Sequence, residues 1–99
     1  MRFEWDSEKN RLNQRKHGGI AFEIAARVFD DPRTIFRKDR IMAGEQRWHA
    51  IGAVEGAVLL VVHLYLIEDQ NGEEETIRII SARTADKRER RIYIQQTAR

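Results

Sequence analysis

The 99-residue chain contains no cysteine and a single proline. Without thiols it has neither a disulfide framework nor a thiolate zinc site. That suits a reducing compartment, and a cytoplasmic location is expected. Long apolar runs are missing too. The longest, Ala57–Val62, is far too short to cross a bilayer. Charges begin at Arg2, Glu4 and Asp6, so no signal-peptide core follows Met1. No membrane partner is expected. Three isolated histidines show neither HxxxH nor HxH spacing, which argues against a metal site. Gly18-Gly19 follows a predicted helix rather than opening one, so there is no phosphate-cradling loop. No cofactor is expected. The length predicts one domain over residues 1–99 with one modest core.

Net charge is also small: 18 Lys+Arg against 16 Asp+Glu, or +2. The sum hides a segregated pattern. Residues 68–75 hold five acids and no base. Residues 76–99 hold seven bases against Asp86 and Glu89, a local +5. The first 19 residues carry Arg2, Lys9, Arg11, Arg15 and Lys16 against Glu4, Asp6 and Glu8. Local sign matters more to a partner than the total does.

Periodicity and punctuation predict a strand at Phe3–Trp5, then a helix over 7–17 capped by Asp6 and ended by Gly18-Gly19. That helix is poor in apolar residues, with Leu12 nearly alone. A second helix is predicted over Ala21–Phe29, with Phe22, Ala25, Ala26 and Phe29 as its core stripe. Asp30-Asp31-Pro32 stops it. Strands follow at Arg33–Arg37, Gln46–Val54, Ala57–Leu66 and Thr76–Ala82. Lys38–Gly44 is expected as a loop, Glu55-Gly56 as a tight hairpin, and Glu68–Glu75 as a solvated turn with Asn71-Gly72 at its tip. Asp86–Gln96 reads as a helix, with Asp86 and Glu89 as a capping box. The order β-α-α-β-β-β-β-α predicts an α+β domain with helices on one face.

Chemistry concentrates on the last strand and its exit: Arg78, Ser81, Arg83, then Arg88, Arg90, Arg91 and Tyr93. Guanidinium groups bind phosphate oxygens in bidentate fashion. Clustered on a sheet beside a basic helix, they suit an anionic polymer. The competing account is a solvated face, but Arg78 lies inside an apolar strand, where a charge needs a reason to stay. Strict alternation places Ser81 and Arg83 on one side and Arg78 on the other, unless a bulge intervenes. His63 is either a proton carrier or a hydrogen-bonded histidine at the end of a buried stretch. Arg47 is either paired with Glu45 or aimed at a ligand. Lys16 and His17 serve either a phosphate or the C-terminal dipole of their helix. Lys9, Asn13 and Lys16 share a helical face that reads as solvated.

Three stretches resemble the BrnT toxins of bacterial toxin–antitoxin pairs. The first is Phe3–Asp6 with Lys9, Asn13 and Lys16-His17-Gly18. The second runs from Phe22-Glu23 through Ala25-Ala26 to Val28–Pro32. The third is Arg78–Arg83 with Ala85, Glu89-Arg90-Arg91 and Tyr93, and Glu45, Arg47 and Ile51-Gly52 fit between. The chain departs from the pattern at Ala21, which replaces a polar N-cap, so the second helix is expected to start less firmly. The resemblance implies a RelE-like fold with a twisted antiparallel sheet, two N-terminal helices and one C-terminal helix. It also implies metal-independent RNA cleavage, inhibition of translation, and a hetero-oligomer with a DNA-binding, BrnA-like antitoxin. On that reading Arg78 and Arg83 grip the scissile phosphate, Ser81 hydrogen-bonds it or positions a neighbour, and His63 carries the proton. Lys16, His17, Arg47 and Arg90 are then expected to bind RNA. The alternative is a non-catalytic module that binds RNA or a partner.

Overall fold

The computed structural model describes residues 1–16, 18–67 and 75–97. His17 and residues 68–74 of the predicted acidic turn lie outside the described residues. The α+β order is the expected one: β1 (Arg2–Glu4), α1 (Ser7–Gln14), α2 (Phe22–Ala25), β2 (Ile35–Met42), β3 (Glu45–Val54), β4 (Ala57–Ile67), β5 (Glu75–Thr84) and α3 (Lys87–Thr97). α2 tightens into a 3-10 segment at Ala26–Asp30. The strands lie in the order β1-β5-β4-β3-β2. β2 to β5 form an antiparallel meander, but β1 joins β5 in parallel, so the sheet is mixed rather than wholly antiparallel.

Two turns set the meander. Glu55 and Gly56 have φ of 50° and 83°, and Ala43 and Gly44 have 50° and 79°. Two successive left-handed residues follow the right-handed twist of a hairpin. β2 therefore runs on to Met42 through most of the stretch expected as a loop.

Phe22 and Ala25 of the predicted stripe are buried, but Ala26 and Phe29 are only partly so, because the tighter 3-10 turn brings Val28 inward instead. Phe22, Ala25 and Val28 are buried against Ala50, Val54, Leu59, Val61, Ile79 and Ala82. Gly52 makes this approach possible, because a Cβ there would lie 2.8 Å from Val28 Cγ1 and 2.2 Å from Thr34 Oγ1. On the opposite face Ile51 and Leu60 pair across β3 and β4, and α3 packs on those two strands. The helices are thus divided between the faces, not gathered on one. Tyr93 fastens α3 to the body by donating to Asp31 Oδ2 at 2.6 Å. Asp31 also accepts the N–H groups of Ala53 and Arg33, both at 2.9 Å. Burial pushes the Asp31 carboxyl up, but these hydrogen bonds outweigh it and hold the group below its ordinary value. Burial, and then the bond to Asp31, push the Tyr93 hydroxyl up to about 12.

α1 inverts the usual pattern. Leu12 is 45% exposed, whereas Asn13 is 5% exposed. Asp6 caps the helix, accepting from the N–H groups of Glu8 and Lys9. Asn10 Oδ1 accepts the Phe22 N–H at 2.9 Å. The cap that Ala21 lacks therefore comes from a neighbouring helix. Asn13 donates to the carbonyls of Ala82 at 2.7 Å and Ile20 at 2.8 Å, and accepts the Ala82 N–H at 3.4 Å. The face that reads as solvated in sequence is thus buried at Asn13. β1 pairs only with residues 76–78 of β5. Farther along that edge, Thr84 N–H donates to Gly18 and Ile20 N–H to Ala82. The chain passes so close to α1 that a Cβ at Gly19 would lie 1.8 Å from the Asn13 carbonyl oxygen.

His63 is fully buried on the α2 side of the sheet, ringed edge-on by Phe29 at 5.0 Å and Tyr65 at 4.9 Å. Neither ring nitrogen has a hydrogen-bond partner among the described residues. Burial, and then the charge of His49, lower its pKa from 6.5 to about 4.

Two stability measurements follow. Asn13→Ala leaves the Ala82 N–H without its side-chain acceptor, and urea unfolding should show a loss of about 2 kcal/mol. The exposed Leu12→Ala should change little. For His63, the unfolded chain takes up a proton near pH 6.5 and the folded chain only near 4. The unfolded state therefore binds more protons as pH falls, and stability present above pH 6.5 is lost towards pH 4. At pH 5 the loss should be about 2 kcal/mol, and His63→Leu should abolish that part of the pH dependence.

Candidate nucleic-acid interface

One extra residue in β5 shapes the site. Val62 pairs with Ser81, but the next residue, His63, pairs with Ile79, which leaves Ile80 as a β-bulge. The bulge reverses the alternation. Ile79 and Ala82 are both buried in the core, while Arg78, Ile80, Ser81 and Arg83 are all partly exposed on the other face. Strict alternation would separate Arg78 from Ser81 and Arg83, and the bulge corrects that expectation.

Each arginine is held by a carboxylate. Arg78 is the register neighbour of Glu4 on β1, and its Nη1 donates to Glu4 Oε2 at 2.8 Å. This is why a cation persists within an apolar strand. Arg83 donates to both oxygens of Glu89, at 2.8 and 2.9 Å, and to the Thr84 carbonyl at 3.2 Å. Those contacts use three of the five N–H groups of a guanidinium. Glu89 also accepts the Asp86 N–H at 2.9 Å, and Asp86 accepts the Glu89 N–H at 2.8 Å. The expected capping box therefore forms, and its glutamate serves twice. Burial raises the Glu89 carboxyl, but the bonds from Arg83 and Asp86 outweigh it and hold the group below its usual range.

α1 and β5 border a groove. Lys9, Leu12, Asn13, Lys16, Arg47, Ile80 and Ser81 line a cleft of about 390 Å³. A smaller cleft of about 140 Å³ shares Asn13, Lys16 and Ser81 and extends to Gly19, Ala82 and Arg83. Four of the residues singled out from sequence, Lys16, Arg47, Ser81 and Arg83, therefore border one depression. Neither lining includes a carboxylate. Arg47 forms no ion pair with Glu45. Ammonium, guanidinium and hydroxyl donors around a groove without acids suit a chain of phosphates.

The other expected residues fall elsewhere. Arg78 shares the face but lines neither cleft. Arg90 is exposed on α3, outside both linings. His63, expected as the proton carrier, is buried in the core on the opposite face and offers no nitrogen to the groove. His17 lies outside the described residues. Sequence reading missed Glu89 as the partner of Arg83, although its cap spacing marked it. It also left His49 aside. His49 stands in the row Arg37–His49–Val62–Ser81 on the groove face, with Nε2 3.2 Å from Asp39 Oδ2.

Binding of a single-stranded oligonucleotide without 2′-hydroxyls should weaken with salt. A slope of roughly −2 to −3 in log K against log salt corresponds to three or four phosphates neutralised. Arg47→Ala should flatten that slope by about 0.7, as read by fluorescence anisotropy.

Residues 5–89 match the family model of BrnT, described as a ribonuclease toxin of a type II toxin–antitoxin system. The match spans every residue that lines the groove. No curated relative matches the chain.

Proposed function

The chain belongs to the BrnT ribonuclease toxins of type II toxin–antitoxin systems, and from that premise we propose that it cleaves RNA without a metal ion in the groove between α1 and β5. The observation that carries this reading is the bulge at Ile80, which sets Ser81 and Arg83 beside Lys16 and Arg47 around one acid-free depression.

The substrate supplies its own nucleophile. Its 2′-oxygen attacks the adjacent phosphorus and gives up a proton. The bond to the 5′-oxygen breaks, leaving a 2′,3′-cyclic phosphate and a 5′-hydroxyl. Proximity is built into the substrate, so the protein needs to hold the phosphate, stabilise the added charge of the phosphorane and move protons. The two N–H groups of Arg83 not used by Glu89 and Thr84 reach the non-bridging oxygens, and the Ser81 hydroxyl donates beside them. Arg78 adds positive potential on the same face. Lys9, Lys16 and Arg47 take flanking phosphates, and Arg90 extends the track. His63, buried in the core on the opposite face, does not carry the proton. Loss of RNA halts translation in the cytoplasm. A BrnA-like, DNA-binding antitoxin neutralises the toxin in a hetero-oligomer.

A second reading is a module that binds RNA without cutting it. The carboxylates already paired with Arg78 and Arg83 favour it, because they compete with the scissile phosphate. Cleavage by purified protein separates the two. Arg83→Ala, folded as judged by circular dichroism, should cut about 10²- to 10³-fold more slowly. Arg78→Ala should lose less, and EDTA should change nothing. Wild-type protein that binds RNA at low salt but leaves it intact supports the second reading.

A further inference from the structure

The far end of the sheet from the groove ends in an unpaired strand. β2 pairs with β3 alone, and among the described residues nothing pairs with its outer edge. Its apolar side chains on the α2 face are only partly covered: Phe36 leans on Phe29 and His63 but is 44% exposed, and Ile41 is 67% exposed. They adjoin Trp48 and Tyr65, which meet edge to face at 5.4 Å, and Lys38 lies over the Trp48 ring at 5.9 Å. The same strand carries Arg37, Lys38 and Arg40 against one acid, Asp39, which is paired with His49.

An exposed apolar platform rimmed by charge marks a protein-binding surface. A free strand edge beside it offers backbone hydrogen bonds to an incoming strand. The charges select the occupant. A second copy adding through β2 would bring Arg37, Lys38 and Arg40 against themselves, and like charges across strands repel. The exposed rings of Phe36 and Tyr65 offer a base something to stack on, but the unpaired strand edge and the more exposed aliphatic Ile41 favour a polypeptide.

We propose that β2 and the Phe36–Ile41–Trp48–Tyr65 platform are the docking surface for the antitoxin, through an extended segment of alternating acidic and apolar residues that adds to the β2 edge. Its apolar side chains fall on the platform and its carboxylates meet Arg37 and Arg40. The inference rests on the toxin reading, but it places the partner away from the RNA groove, so the two surfaces separate experimentally.

The test uses the full chain and the antitoxin encoded beside it. The double variant Arg40→Glu/Ile41→Asp touches exposed side chains only. It should bind the antitoxin roughly 100-fold more weakly, and should cleave RNA at the wild-type rate. Arg83→Ala should do the reverse, keeping the antitoxin and losing cleavage. Hydrogen exchange on the wild-type complex should show new protection over residues 35–42. Unchanged affinity in the double variant, or protection confined to α1 and β5, overturns the proposal. So does a dimer of the free chain that the double variant abolishes, because a second copy then occupies the edge. Failure of the wild-type chain to cut RNA would sink the ribonuclease reading and leave the docking result to stand or fall by itself.

Discussion

The side-chain amide of Asn13 closes on the peptide of Ala82, and the groove exists because of that clasp. β1 is too short to cover the edge of β5 beyond Arg78. An open edge leaves backbone donors and acceptors without partners, which is costly when they are buried. Asn13 meets both groups of one residue from the side of a helix, and the Gly18–Ile20 segment bonds Ala82 and Thr84. α1 is thereby held against the edge with Lys9, Leu12 and Lys16 bordering the cleft. The helix has almost no apolar face with which to dock by burial, so hydrogen bonds do that work.

The two arginine–carboxylate pairs matter for orientation more than for stability. Arg78 and Arg83 are both substantially exposed, and pairs screened by solvent contribute little to folding. What they do is hold a flexible guanidinium at one place on the face. Glu89 is well suited to this because it is itself fixed by the capping box of α3. The helix that follows the sheet therefore aims a residue of the sheet. Asp31 and Tyr93 secure the middle of the same helix.

Much of the fold was legible in the residues. Phe22, Ala25 and Phe29 announced a helix by their spacing, Glu55-Gly56 announced a hairpin, and Asp86 with Glu89 announced a cap. β2 was cut short because Lys38–Gly44 is polar, and polarity alone does not separate an exposed edge strand from a loop. The parallel pairing of β1 was not legible either, since it joins residues more than seventy positions apart. Within the site, the residue types at Arg78, Ser81, Arg83, Lys16 and Arg47 were readable, and their meeting was not. His63 was misjudged as a proton carrier because a histidine after alternating apolar residues has the same signature whether it ends a buried stretch or lies within it.

The sequence by itself determined the order of elements, the segregation of charge and the membership of a ribonuclease toxin family. Periodicity, turn residues and local sign are properties of neighbours along the chain, and they survive without knowledge of the fold. Only the tertiary structure decided which cations face the same space. A single inserted residue, Ile80, turns every later side chain of β5 to the other face, and nothing in the local sequence distinguishes that bulge from regular pairing. The partners of Asn13, Arg78 and Glu89, and the burial of His63, likewise come from chain segments brought together only by packing.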